Sequence, residues 1–372
     1  MRVALVHDWL TGIGGSERAL LELHELFPEA PIFTAAFDPA RTLPEFRSLD
    51  IRTSFLQRAI LGATSYGPLI PLMPFAFGRF DTKDFDLLLV SSHHVAKAIR
   101  KHPGQVMVCY CYSPMRWAWD LHDFYLRHRA STPVERLAAR LVLRWFRAWD
   151  RRSAKKVDSF IAISENIRGR IQRYYGRDAA VVWPPVDAAR FSVSSQLSDY
   201  FLVVSRLEDM KRVDIAVDAF TQLGWPLHVV GTGPQLAALQ RRAGPTIRFL
   251  GGLGDADLAT EYSHAQAIIF TPDEDAGIVP LEAMAAGRPV LALRAGGATE
   301  VVRDGVDGAF FEAQTAAALL AALETFRPER YDPLVIRRHA EQFDRPHFRA
   351  AVKRCIDAVI PARRPWPRQR AA

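Results

Sequence analysis

Cysteine is scarce in this sequence, with only Cys109, Cys111 and Cys355 among 372 residues. Three thiols cannot build a disulfide framework. Cys109-Tyr-Cys111 reads as two thiols on one face of a buried strand, so a reducing, cytosolic compartment is expected. Long apolar runs are missing too. No segment approaches the roughly 18–20 residues needed to cross a bilayer, which leaves only peripheral membrane contact. The opening Met1-Arg-Val-Ala-Leu-Val-His-Asp is a short apolar run soon broken by charge, and it reads as a first strand rather than a signal peptide. A complete G-x-G-x-x-G fingerprint is also absent. Gly12 and Gly14 are followed by Glu17 where a third glycine belongs, and Gly231 and Gly233 by Leu236. That argues against a dinucleotide-dependent dehydrogenase.

What is present is globular. The chain is 49% apolar and 24% charged, and long enough for two domains that each bury a core. Apolar runs of strand length alternate with longer helical patterns, the sign of α/β architecture with parallel sheets. Strands are predicted at Val3–Val6, Ile32–Ala35, Leu87–Val90, Val106–Tyr110, Phe160–Ala162 and Val181–Val182. After Trp183-Pro-Pro-Val the pattern restarts, with strands at Tyr200–Val204, Pro226–Val230, Ile247–Phe249, Ala267–Phe270, Pro289–Ala292 and Gly308–Phe311. The double proline cannot continue a helix or a central strand, so it marks a hinge between domains expected at 1–187 and 188–345. A last helix is predicted near 346–360, and the Pro/Arg-rich residues 361–372 are expected to be disordered.

The net charge is +7, and it is concentrated. Between Arg127 and Lys156, ten basic residues, Arg127 and Arg129 among them, stand against Glu135 and Asp150. Nucleic acid would account for a basic patch. Here, however, the charges share a helix with Leu137, Leu141, Trp145 and Trp149, a composition that reads better as contact with an anionic membrane surface. The alternative is that the tryptophans are core and the arginines a solvated face.

The most informative stretch is Glu274-Asp-Ala-Gly-Ile-Val-Pro-Leu-Glu282, between a strand-like run and a good helix former. A carboxylate sits in a loop, Gly277 opens a helix, and a second carboxylate lies within its first turns. A helix N-terminus offers unpaired N–H groups and partial positive charge, which suit a diphosphate. The flanking glutamates are placed to accept from hydroxyls. A sugar nucleotide has both features.

With Gly287-Arg-Pro-Val and Ala295-Gly-Gly-Ala-Thr-Glu, this stretch closely resembles the signature of the retaining glycosyltransferases of family 4. The resemblance covers nearly the whole chain and implies the GT-B fold, α/β with two Rossmann-like domains facing across a cleft. Gly14 and Gly15 match the family's first glycine loop, at the donor diphosphate and acceptor. Ser91-Ser-His93-His94-Val-Ala-Lys97 resembles a stretch of bacterial polysaccharide mannosyltransferases, with His93 fitting the histidine that faces the transferred sugar. The segment with Tyr112 and Arg116 resembles the family's acceptor-side segment, although Tyr112 stands where relatives often carry His.

The resemblance also pairs Arg206 and Lys211 beside the donor phosphates, a planar fork and a point charge. It implies that Glu274 takes sugar hydroxyls, that Gly277, Ile278 and Val279 hold the diphosphate, and that Glu282 takes the ribose. Gly251 and Leu253 would lie against the base. Ala276 replaces the usual Phe, so the wall behind the sugar is expected to be roomier. The leaving phosphate is the implied base, so no protein nucleophile is assigned, and neither cofactor nor metal is expected.

The expected activity is transfer of mannose from GDP-mannose to a lipid-linked saccharide, at the inner face of the cytoplasmic membrane, in polysaccharide synthesis. The alternatives are a UDP-sugar donor, a sugar-nucleotide epimerase relative, or a non-catalytic GT-B-like membrane assembly protein. Intact Arg206, Lys211, Glu274 and Glu282 argue against the last.

Overall fold

A computed structural model describes residues 1–63, 67–122 and 132–360. Arg127, Arg129 and the tail at 361–372 lie outside the described residues. The chain divides into two compact units, one of Met1–Trp183 with Phe348–Ala372 and one of Pro184–His347.

The first unit holds a seven-stranded sheet of β1 (Val3–His7), β2 (Ile32–Thr34), β3 (Ile51–Thr53), β4 (Leu87–Ser92), β5 (Val106–Cys111), β6 (Ser159–Ala162) and β7 (Ala179–Val181). Its order is β3-β2-β1-β4-β5-β6-β7, and every pairing is parallel. The central strands β1 and β4 are buried along their whole length. That is why they read as continuous apolar runs rather than alternating ones. β3 was not anticipated. Its sequence, Ile51-Arg-Thr, is a short, part-exposed edge with no apolar run to announce it.

The second unit holds a six-stranded sheet of β8 (Phe201–Val204), β9 (Leu227–Val230), β10 (Ile247–Gly251), β11 (Ile268–Phe270), β12 (Val290–Leu293) and β13 (Gly308–Phe311). Its order is β10-β9-β8-β11-β12-β13, again wholly parallel. Phe201, Val203, Phe220, Leu227, Ile269 and Leu291 belong to the core that packs helices onto this sheet.

Helix boundaries follow local chemistry. Thr132 and Glu135 form a reciprocal capping box at the start of Pro133–Ala154, with proline at the first position. Ser164 Oγ caps Glu165–Tyr175 by accepting from the Ile167 N–H, and Gly176, at φ 65°, closes it in the left-handed conformation. The last helix, Arg345–Val359, packs Phe348 edge-on against Tyr110 of β5 and pairs Arg349 with Glu22. Among the described residues, no helix is long and apolar enough to cross a membrane.

Candidate functional site

In an open parallel sheet, ligands bind at the carboxyl ends of the strands where the order reverses. The first sheet reverses between β1 and β4, and the second between β8 and β11. Both points carry clusters of polar side chains.

At the first point, Asp8 follows β1 and is fully buried. Its carboxylate accepts from four successive N–H groups of the loop after β4: His93 at 2.7 Å, His94 at 2.9 Å, and Val95 and Ala96 at 2.7 Å. It also lies 3.3 Å from His93 Nδ1. Burial would raise the Asp8 carboxyl, but His93, His94 and His7 and the bonded His93 N–H outweigh it and lower it to about 2. Asp8 is therefore an anion clamped across the switch point, and the loop that carries His93 is built on it. No motif in the sequence singles out Asp8. A charged residue directly after a wholly buried central strand is the signal that could have found it.

His93 and His94 differ in what they can do. Nε2 of His94 accepts from the Trp117 indole at 2.8 Å, so its Nδ1 carries the proton and points at the His93 carbonyl, 3.0 Å away. Burial and the neighbouring His93 lower it to about 4, which keeps it neutral. His93 is also lowered by burial, with Asp8 opposing. Its side chain stays 30% exposed, and among the described residues only Asp8 meets its ring nitrogens. Trp9 meets both rings edge-on at 5.0 Å. His93 is thus the imidazole left with a nitrogen to offer.

Tyr112 lies near His93, but its buried hydroxyl is bonded to Ser91 Oγ at 2.9 Å and donates to the Ser16 carbonyl at 3.0 Å. Gly14 caps the helix Gly15–Glu25 with extended backbone, so no unusual conformation demands a glycine there. A Cβ would instead come within 3.0 Å of the Glu17 carboxylate. Arg116 opens the turn after β5, where its carbonyl accepts from the Leu121 N–H. Beneath this cluster, Lys97 and Asp150 form a wholly buried ion pair at 3.2 Å. Asp150 also accepts from the Trp119 indole and the Tyr175 hydroxyl.

At the second point, Arg206 and Lys211 lie in the loop after β8, and Glu274 in the loop after β11. Lys211 Nζ pairs directly with Glu274 Oε1, and both side chains are largely buried. Their backbones are tethered as well. Thr271 Oγ1 donates to the Lys211 carbonyl at 3.0 Å, and the Gly297 N–H donates to the Glu274 carbonyl at 2.7 Å. Arg206 is 71% exposed and bonds Glu208 at 3.0 Å.

Close approach explains the glycines around this point. A Cβ on Gly231 would stand 1.8 Å from the Ser205 carbonyl oxygen, and one on Gly233 2.4 Å from that of Leu207. These glycines let a neighbouring loop pack against the backbone on either side of Arg206. Gly251, at φ 70°, ends β10, and its carbonyl accepts from the Gly231 N–H; Leu253 follows two residues on.

Gly277 begins the helix Ile278–Ala285 without any side-chain cap. Pro280 has no N–H, so the first-turn donors are those of Ile278 and Val279. One turn on, Glu282 accepts from the buried Tyr262 hydroxyl at 2.9 Å. The arrangement therefore sets an ammonium, a carboxylate and a helix N-terminus at one switch point.

Two parallel α/β sheets, each with polar residues at its switch point, are the arrangement of the GT-B glycosyltransferases. The chain belongs to that class: the Glycosyltransferase Family 4 profile matches residues 13–190, and that of the glycosyl transferases group 1 matches 188–340. It is similar to a GDP-mannose-dependent alpha-(1-6)-phosphatidylinositol monomannoside mannosyltransferase of Mycolicibacterium smegmatis. The two are 31% identical over 207 residues, covering 46% of this chain and 54% of that one. A D-inositol 3-phosphate glycosyltransferase of Geodermatophilus obscurus is 28% identical over 246 residues, 56% of this chain and 52% of its own. The chain thus spans about half the length of these curated relatives. In fold it is similar to Anabaena HepE, solved in complex with UDP and glucose. The TM-score is 0.72 at 18% identity, over 96% of this chain and 100% of that one.

Proposed function

We propose that the protein transfers mannose from GDP-mannose to a lipid-linked saccharide, with retention of configuration and at a membrane surface. The observation that carries this reading is the second switch point, where Lys211, Glu274 and the uncapped start of Ile278–Ala285 come together. Arg206 and Lys211 take the diphosphate, whose charge grows as the glycosidic bond breaks. The N–H groups of Ile278 and Val279 take it from the other side. Glu274 accepts from sugar hydroxyls and Glu282 from the ribose, while Gly251 and Leu253 border the base. The first unit takes the acceptor, with His93 serving the transfer and Tyr112 and Arg116 on the acceptor side.

Support for mannose comes from the mannosyltransferase relative and the Glu-Asp-x-Gly-Ile-Val-Pro-Leu-Glu form of the motif. A UDP-sugar donor is the second reading, favoured by the likeness to a protein solved with UDP and glucose. Thermal shift with GDP, UDP, GDP-mannose and UDP-glucose separates them, since a ligand that binds only the folded chain raises its melting temperature. The guanosine pair is expected to stabilise the protein most. A uridine preference replaces the donor, and no response to any of the four overturns the nucleotide-sugar reading.

The membrane part of the proposal rests on the helix Pro133–Ala154. Val134, Leu137, Leu141 and Trp145 form one stripe along it, 78%, 59%, 59% and 44% exposed. Arg136, Arg140, Arg144, Arg151 and Arg152 are exposed around them. Leu143 and Phe146 are its large apolar residues that are buried, so Trp145 is not a core tryptophan, while Trp149 is half-buried. The proline-broken segment 68–77 adds exposed Leu72 and Phe75. Each near-surface basic residue contributes about 1 kcal/mol toward an anionic bilayer. Cosedimentation with phosphatidylserine vesicles is expected at low salt and is lost as salt rises. Leu141→Asp should weaken it. A protein that ignores such vesicles at low salt defeats this part.

A further inference from the structure

We infer that Glu274 makes the site prefer an intact sugar nucleotide over the free nucleoside diphosphate, by holding Lys211 in an ion pair that only the intact donor replaces on both sides. This rests on the assignment of Lys211 to phosphate and Glu274 to sugar hydroxyls. The two side chains are 19% and 25% exposed, so each has given up most of its water and depends on a partner. An intact donor brings a phosphate oxygen to the ammonium and hydroxyls to the carboxylate, so both ends are satisfied again. A free nucleoside diphosphate satisfies Lys211 alone. It leaves the Glu274 carboxylate without its cation, flanked by Asp273 and Asp275 and beside an added polyanion.

The guanidinium of Arg206 is exposed and bonded to Glu208. Both backbones are fixed, Lys211 through Thr271 and Glu274 through Gly297. Gly296 adds to this restraint, since a Cβ there would stand 2.2 Å from the Glu274 carbonyl oxygen. The pair therefore exchanges partners by turning two side chains, with the loops held still. After transfer, Glu274 competes with the product diphosphate for Lys211 and favours its release.

Glu274→Gln tests this, because it removes the charge while keeping shape and hydrogen-bonding capacity. Calorimetry is done with GDP and UDP on wild type, Glu274→Gln, Lys211→Met and the double variant, with thermal melts to confirm folding. The nucleoside diphosphate that wild type prefers is expected to bind Glu274→Gln about fivefold more tightly, the measure of a part-buried ion pair. The same change made in the Lys211→Met background should bring a distinctly smaller gain, because it relieves only the repulsion between carboxylate and diphosphate and no ammonium is left to release. Unchanged or weaker binding to Glu274→Gln overturns the inference and leaves the nucleotide-sugar reading standing. Wild type that binds neither diphosphate defeats that reading itself.

Discussion

Replacing Lys211 with alanine is expected to lower kcat by about 10²–10³, the range seen when one preorganised group facing a developing anion is removed. The loss falls on kcat because the diphosphate carries more charge in the transition state than in the bound donor. Arg206→Ala should have a comparable effect if its exposed guanidinium closes onto the same phosphates, and Arg206→Lys should not fully rescue, lacking the planar fork. The two losses should not add, since both groups act on one diphosphate. A merely solvated basic turn predicts changes within about twofold for each.

The ion pair introduces a complication that kinetics can resolve. Lys211→Ala also strands Glu274 as an unpaired, part-buried carboxylate, which costs stability apart from any role in catalysis. The Lys211→Ala, Glu274→Gln double variant relieves that cost. If it melts like wild type and still turns over about 10²-fold slower than Glu274→Gln alone, the deficit belongs to the phosphate clamp. Near-normal turnover in either single cation variant would defeat the mechanism.

How much of this was legible beforehand depended on whether the signal was local. Buried parallel strands are built on apolar runs, so β1, β4, β8 and β11 announced themselves, although His7, Ser91 and Ser92 at the ends of β1 and β4 are buried too. β3 did not, because a three-residue edge with Arg52 at its centre needs no apolar run. Lys211, Glu274, Gly277 and Glu282 stand out in the sequence as motif residues. The pairing of Lys211 with Glu274 does not, since it joins loops 63 positions apart. Gly231 and Gly233 were weighed only as a failed dinucleotide fingerprint. Their reason lies in the carbonyls of Ser205 and Leu207, which no spacing rule reports. Asp8 was read as the end of a first strand, because its partners stand 85 to 88 residues away.

Asp8→Asn is accordingly expected to damage both stability and turnover. The carboxylate accepts four backbone N–H groups on its two oxygens. An amide keeps one acceptor oxygen and turns a pair of donors toward other donors, inside a fully buried site. A carboxyl lowered from 3.8 to about 2 corresponds to about 2 kcal/mol of folding stability. Because the shift is downward, that contribution is complete above about pH 4 and is lost as the pH falls through about 2. Wild type should therefore lose stability over that window more steeply than the variant, which has no proton to take up at position 8. Asp307 is lowered to about 2 as well, so the comparison must be the difference between the two proteins, not either curve alone. Turnover should fall by about 10², because the loop that positions His93 loses its clamp and small misplacements of a reacting group are costly. Urea unfolding across the acid range and steady-state kinetics near neutrality measure the two effects separately. A variant with wild-type stability at pH 7 and full turnover would show that Asp8 neither fixes the loop nor positions His93.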